Sequence, residues 1–175
     1  MEISVGHTPD ADDAFMFYGM FSGKVTSPYF TVTHVISDIE NLNRKALSPE
    51  LDVTAVSVHA CVHIPEYTIL RSGGSFGIGY GPIVTATKKM TVKELQKAKI
   101  AIPGKMTSAF LLLQLIIGKF DYLEMNFSDI PMAVKDGKVD AGLVIHETQL
   151  SYSQEGVIKI LDVGEWWDKT TNGLP

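Results

Sequence analysis

Residues 71–87 read RSGGSFGIGYGPIVTAT, with Gly73, Gly74, Gly77, Gly79 and Gly81 standing ahead of a β-branched run. The order of these two features decides the fold. A dinucleotide-binding loop follows a strand and opens a helix, so that its glycines let the backbone close on a pyrophosphate at the helix start. Here the glycines lead into a strand, IVTAT, and the segment reads as a crossover between two halves of the chain. Glycine supplies the unrestricted backbone that such a crossover uses.

Upstream, strand and helix signals alternate. ISVGH (3–7) has the period of a strand, and DDAFMFYGMF (12–21) is apolar nearly all round, as a buried helix would be. YFTVTHVIS (29–37) is a second, β-branched strand, and DIENLNRKAL (38–47) opens on an aspartate cap with Ile39, Leu42 and Ala46 at helical spacing. DVTAVS (52–57) is a third strand, running into VHACVHI, which Pro65 stops. Downstream, TVKE (91–94) is a capping box that starts a helix before the strand KIAIP, followed by the helix SAFLLLQLII, a strand around YLEMNF, a helix after SDIP and the strand DAGLVIH (140–146). The upstream β-α-β-α-β order argues for a mostly parallel sheet wrapped by helices, and two α/β lobes, residues 1–82 and 83–175, joined through the glycine-rich crossover are the simplest reading. No internal repeat or low-complexity tract interrupts them.

Composition narrows the function. The formal charge is −5, and no block of like charges offers a face to nucleic acid or to a membrane surface, which fits a small-molecule ligand. Cys61 is the sole cysteine, so no internal disulfide forms, and the start lacks a secretion signal; together these predict a cytoplasmic setting. The longest apolar run, AFLLLQLII (109–117), falls well short of the ~18 residues that span a bilayer.

Four groups of residues carry candidate chemistry. HTPDADDAF (7–15) places Asp10, Asp12 and Asp13 where the first strand enters the first helix; Phe15 stands where a calcium loop needs glycine and no glutamate closes it, so the carboxylates read as anchors for the helix start rather than metal ligands. His59 and His63 have the spacing of a zinc-binding helix, but HACVH lacks the glutamate of H-E-x-x-H, and ordinary histidines are the simpler reading. GKMTS (104–108) is not a phosphate loop, because Met106 follows the lysine; it leaves Thr107 and Ser108 at a helix N-terminus, suited to a carboxylate or phosphate and equally to a plain cap. His146 ends the run AGLVI, at the carboxyl end of a strand where α/β sheets bind ligands, and an imidazole there can act as a base near neutral pH.

HTPDADDAFMFYG, LRSGGSFGIGYGPIV, IPGKMTSAFLLL, DAGLVIHE and LDVGEWW followed by GLP occur in order along the whole chain and together resemble the 1,4-dihydroxy-6-naphthoate synthase family of the futalosine route to menaquinone. The resemblance implies an α/β fold of the type II periplasmic-binding-protein kind, two lobes around a cleft, in a lyase that needs no metal or organic cofactor. It implies that cyclic dehypoxanthinyl futalosine is cleaved to 1,4-dihydroxy-6-naphthoate and a sugar-derived fragment. His146 matches the family's base, Thr107 and Ser108 match its substrate-contacting pair, and Ser57 in AVS matches the contact after the third strand. The family's fold also returns to the first lobe beyond the point where this sequence stops. The first lobe is therefore expected to need a cover: that return segment, another polypeptide, or a second copy of the chain in a homo-oligomer. Two rival functions share the fold: chorismate dehydratase of the same pathway, and a non-catalytic solute-binding protein.

Overall fold

The alternation in EISVGH becomes β1 (Glu2–His7) in the computed structural model, which describes residues 1–174. After it come α1 (Ala11–Phe21), β2 (Thr31–Ile36), α2 (Ile39–Leu47), the two-residue β3 (Val53–Thr54) and the one-turn α3 (Val58–Cys61). β1 lies at the centre, paired in parallel with β2 from Glu2↔Thr31 to His7↔Ile36 and with β3 at Val5↔Val53 and Gly6↔Thr54. Parallel neighbours need crossovers, which α1 and α2 provide. α2 starts where the sequence places it, because the Asp38 carboxylate accepts the Asn41 N–H at 3.0 Å. Its buried side chains Leu42 and Ala46 join Val5, Leu51, Ala60 and Ile64 in the core of this first unit, Met1–Ser75.

α1 departs from expectation. Its apolar composition predicts burial, yet Asp13 is its one buried residue, and Phe15 is 85% exposed. The cause is geometric: a helix laid on a sheet has one stripe covered, and the other stripes stay wet unless a further layer packs on them. The side of α1 turned to the sheet carries the half-buried Phe17 and, one turn on, Phe21, whose ring packs on a histidine although the residue stays 43% exposed. Phe17 stacks on the His7 ring at 4.8 Å between centroids, and Phe21 stacks on His34 at 4.0 Å. Phe15, Met16 and Tyr18 face outward.

The two histidines beneath α1 have assigned tautomers. The buried His7 places Nδ1 3.0 Å from the Thr8 carbonyl, which can only accept, so Nδ1 carries the proton; Nε2 then accepts from His34 Nδ1 at 3.2 Å. Burial, and secondarily the neighbouring His7 ring, hold the His34 pKa below its ordinary value. The unfolded chain therefore takes up this proton first as pH falls, so the stability that neutral His34 contributes is present above about pH 6.5 and is lost progressively below it. Thermal unfolding should show a falling Tm between pH 7.5 and 5.5, and His34→Phe, which keeps a ring on Phe21 but cannot titrate, should flatten that limb.

The second unit begins at Phe76. It contains β4 (Ile83–Ala86), α4 (Val92–Leu95), β5 (Lys99–Ile102), α5 (Ser108–Ile117), β6 (Asp121–Glu124), α6 (Ile130–Lys135), β7 (Ala141–Val144), α7 (Thr148–Ser151), β8 (Ile158–Asp162) and α8 (Val163–Thr171). The sheet order is β6-β5-β7-β4-β8. β5 is parallel to β6 and β7, but β4 runs antiparallel to both β7 and β8, a mixed sheet whose strand directions the helix-strand pattern alone leaves open. Period-two alternation is the same in either direction, so strand sense is settled by pairing and not by pattern. The core gathers Ile83, Ala101, Val144 and Val157 against Ile130, Ala133 and Val134 of α6. The Thr91–Glu94 capping box forms as read.

Gly81, last of the glycines in the crossover, has a packing role. A Cβ there would lie 2.6 Å from the Gly164 Cα, so the entry to β4 and the first turn of α8 cross backbone to backbone. Among the described residues no helix is long and apolar enough to cross a membrane.

Candidate active site

Three of the four predicted site residues lie at one end of the second sheet. β5 and β7 are adjacent and parallel, in register at Ile100↔Ala141 and Ala101↔Gly142, so the loops that follow them emerge side by side at their carboxyl ends. Thr107 and Ser108 follow β5, and His146 follows β7.

Thr107 is the N-cap of α5. Its hydroxyl accepts the Phe110 N–H at 3.2 Å and donates to the Gly104 carbonyl at 2.7 Å, in a buried setting. The hydroxyl thus closes the loop and satisfies a helix N–H, while Ser108, half-buried, stands at the first helical position. Thr107→Ala should cost about 1 kcal/mol, lowering Tm by roughly 2 to 4 °C in a chain of this size, measured by thermal unfolding without ligand.

His146 leaves a strand whose four residues are all buried. Its backbone is left-handed, φ 53°, a region that residues other than glycine seldom occupy. The carbonyl accepts the Gln149 N–H at 3.1 Å, tying the turn to α7, and the half-buried ring meets Phe127 edge-on at 5.2 Å between centroids. A strained, non-glycine conformation held at a strand end is where active sites store backbone strain. The geometry aims an imidazole, supported on one side by an aromatic ring, at the same end of the sheet as the α5 N-terminus.

Ser57 belongs to the first unit, just past β3, as the residue before α3. Its hydroxyl makes no capping bond to that helix. Instead it meets Asn43 of α2, a residue that the sequence pattern passed over. Asn43 stands four positions after Ile39 and three before Ala46, so a polar side chain on an otherwise apolar stripe was the available signal.

The aspartate-rich loop is built as an anchor. The Asp13 carboxylate accepts the Thr8 N–H at 2.7 Å, reaching back across the loop, and Asp12 accepts the Asp13 N–H at 3.0 Å together with the Ser75 hydroxyl. Asp10 starts α1 through its carbonyl, which accepts the Ala14 N–H at 2.9 Å. His59 and His63 form an edge-on ring pair at 5.5 Å, and among the described residues no group of three or more His, Cys, Asp or Glu gathers to hold a metal. A depression of about 420 Å³ lies at the other end of the second sheet, where β4 finishes and β5 and β7 begin, with Lys88, Lys97 and Lys135 on its walls. Ser57, Thr107, Ser108 and His146 are not among its lining residues.

The chain is similar to known proteins along its whole length. It is 37% identical over 174 residues to the 1,4-dihydroxy-6-naphthoate synthase of Thermus thermophilus, covering 99% of this chain and 62% of that protein. A crystal structure of a protein from Archaeoglobus fulgidus superposes with a TM-score of 0.90 at 48% identity, over 97% of this chain and 63% of that one. The ligand-binding component of an ABC-type import system from Staphylococcus aureus, at 15% identity, shares the fold with a TM-score of 0.65 over 98% of this chain and 69% of that one. The architecture is thus type II periplasmic-binding-protein-like, and the chain spans less than two thirds of the length of the curated naphthoate synthases that it matches. The family model for menaquinone biosynthesis matches residues 3–175. On that match and on the full-length similarity to a naphthoate synthase, the chain belongs to the menaquinone-biosynthesis family.

Proposed function

We propose that this protein serves the carbon–carbon lyase reaction that converts cyclic dehypoxanthinyl futalosine to 1,4-dihydroxy-6-naphthoate. The observation that carries the reading is His146, an imidazole held in a left-handed turn just past β7, at the same end of the sheet as the α5 N-terminus. In this reading His146 removes a proton from a sugar hydroxyl. The O–H electron pair becomes a new carbonyl bond as the adjacent carbon–carbon bond breaks, and the electrons of that bond leave with the naphthoate fragment. The start of α5, with Ser108 and the first-turn N–H groups, receives the naphthoate carboxylate, an anion that a helix N-terminus favours. Ser57 is a further substrate contact in this reading. The 37% identity to a naphthoate synthase supports this assignment over a solute-binding role. The same reading places the protein among cytoplasmic biosynthetic enzymes.

Incubation of the purified protein with cyclic dehypoxanthinyl futalosine, followed by chromatography for 1,4-dihydroxy-6-naphthoate, tests the proposal. Product formation is expected. Tight binding of that compound with no product would favour a solute-binding protein, and turnover of chorismate in its place would assign the dehydratase reaction.

A further inference from the structure

We propose that Asn43 is a positioning residue that turns the Ser57 hydroxyl hydrogen away from α2 and so makes it available to donate to the ligand; this rests on the reading of Ser57 as a substrate contact. Asn43 is fully buried, 0% exposed, on the core side of α2. Its amide makes two bonds to the same residue fourteen positions away: Oδ1 accepts the Ser57 N–H at 2.8 Å, and Nδ2 donates to Ser57 Oγ at 3.1 Å.

The orientation of the amide follows from chemistry. A backbone N–H can only donate, so the atom facing it is Oδ1, and the atom facing Oγ is then the NH₂ group. Because Nδ2 fills an acceptor position on the serine oxygen, the hydroxyl hydrogen points away from Asn43. Among the described residues it has no protein acceptor, and it does not cap α3. With Nδ2 on one of its two lone pairs, the oxygen keeps its hydrogen and its second lone pair on the side away from Asn43, so the hydroxyl is free to donate there. The ligand atom that it suits is an oxygen with lone pairs, a carboxylate or carbonyl. A buried amide costs stability unless both its ends are used, so the paired arrangement also explains how α2 tolerates an asparagine on its apolar stripe.

Asn43→Asp tests the polarity directly, because the substitution is isosteric and keeps the acceptor for the Ser57 N–H. At pH 8 the introduced carboxylate turns the contact round: it accepts from the Ser57 hydroxyl and takes that hydrogen from the ligand. Affinity for 1,4-dihydroxy-6-naphthoate, followed by fluorescence titration, should fall about tenfold or more relative to the unaltered protein. At pH 5 the introduced carboxyl regains a proton that it can donate to Oγ, and the ratio of the two affinities should return toward one. A purely structural defect would not recover in acid. Circular dichroism melts confirm that the variant folds, and if it does not, the cycle of Asn43→Ala, Ser57→Ala and the double variant replaces it, with the two losses expected to be strongly non-additive. Equal affinities at pH 8, a ratio that does not change with pH, or additive losses would each overturn the role of Asn43. Ser57→Ala without effect would also overturn it, and by removing Ser57 from the site would locate the failure in the substrate-contact reading instead, with turnover by His146 as a separate measurement.

Discussion

His146→Asn should lower turnover by about 100- to 10,000-fold, the range that a positioned general base contributes, while leaving naphthoate affinity within a few-fold of the unaltered protein. Asparagine is the informative replacement because of the backbone. The left-handed turn at φ 53° excludes β-branched residues and penalises most others, whereas asparagine tolerates it, so the loop keeps its course and the loss reports on the imidazole. A replacement such as His146→Val would mix lost chemistry with a distorted loop and would lose affinity as well. Steady-state kinetics separate the two: a drop confined to kcat identifies a proton-transfer role, and a drop confined to KM would recast His146 as a binding residue. Near-normal kcat in the asparagine variant would remove His146 from the mechanism.

The second large effect is on stability. Gly142 lies in β7 with α6 pressed on its face: a Cβ at this position would sit 2.3 Å from Ile130 Cγ2 and 2.9 Å from Val134 Cγ2. Ile130 and Val134 are 0% and 1% exposed, so neither side chain has space to withdraw. Gly142→Val adds three carbons where none fit, and overpacking of this kind costs on the order of 3 kcal/mol, which corresponds to a fall in Tm of roughly 6 to 12 °C. Scanning calorimetry measures it. The attribution to the β7–α6 contact is checked by Gly142→Ala with Ile130→Ala: the methyl added on one side partly fills the space opened on the other, so the double variant should lose less than the sum of the single losses. Additive losses would place the strain elsewhere.

Much of the architecture is legible in the sequence because its signals are local. α5 runs over Ser108–Ile117, the bounds that SAFLLLQLII sets, since a threonine cap precedes it and Gly118 follows in a positive-φ conformation at its C-cap. The Thr91 capping box and the Asp38 cap are equally local and equally readable. The features that escape the pattern depend on distant partners. Strand sense in β4 is settled by its pairing with β7, some sixty residues downstream, and β8 with α8 were legible only as the segment LDVGEWW. The same division holds in the site. His146 and Thr107 are readable because a strand end and a helix start are local positions, whereas Asn43 matters through a residue on another element. The placement of Asp10, Asp12 and Asp13 at the helix start was legible, but the Asp10 side chain makes no capping bond to α1, and the particular N–H that Asp13 reaches, on Thr8, was visible only once the loop had closed.

The outward stripe of α1 has a consequence for handling the protein in solution. Phe15, Met16 and Tyr18 form a face whose transfer out of water is entropically driven near room temperature, so any contact that it makes between molecules weakens on cooling and strengthens in sulfate or phosphate. The formal charge of −5 opposes such contacts through mutual repulsion that salt screens. Light scattering should therefore rise with added ammonium sulfate and with warming by about 20 °C from refrigerated to room temperature, and Phe15→Lys should suppress the rise. Cold, low-salt buffer is the condition in which this helix keeps to itself.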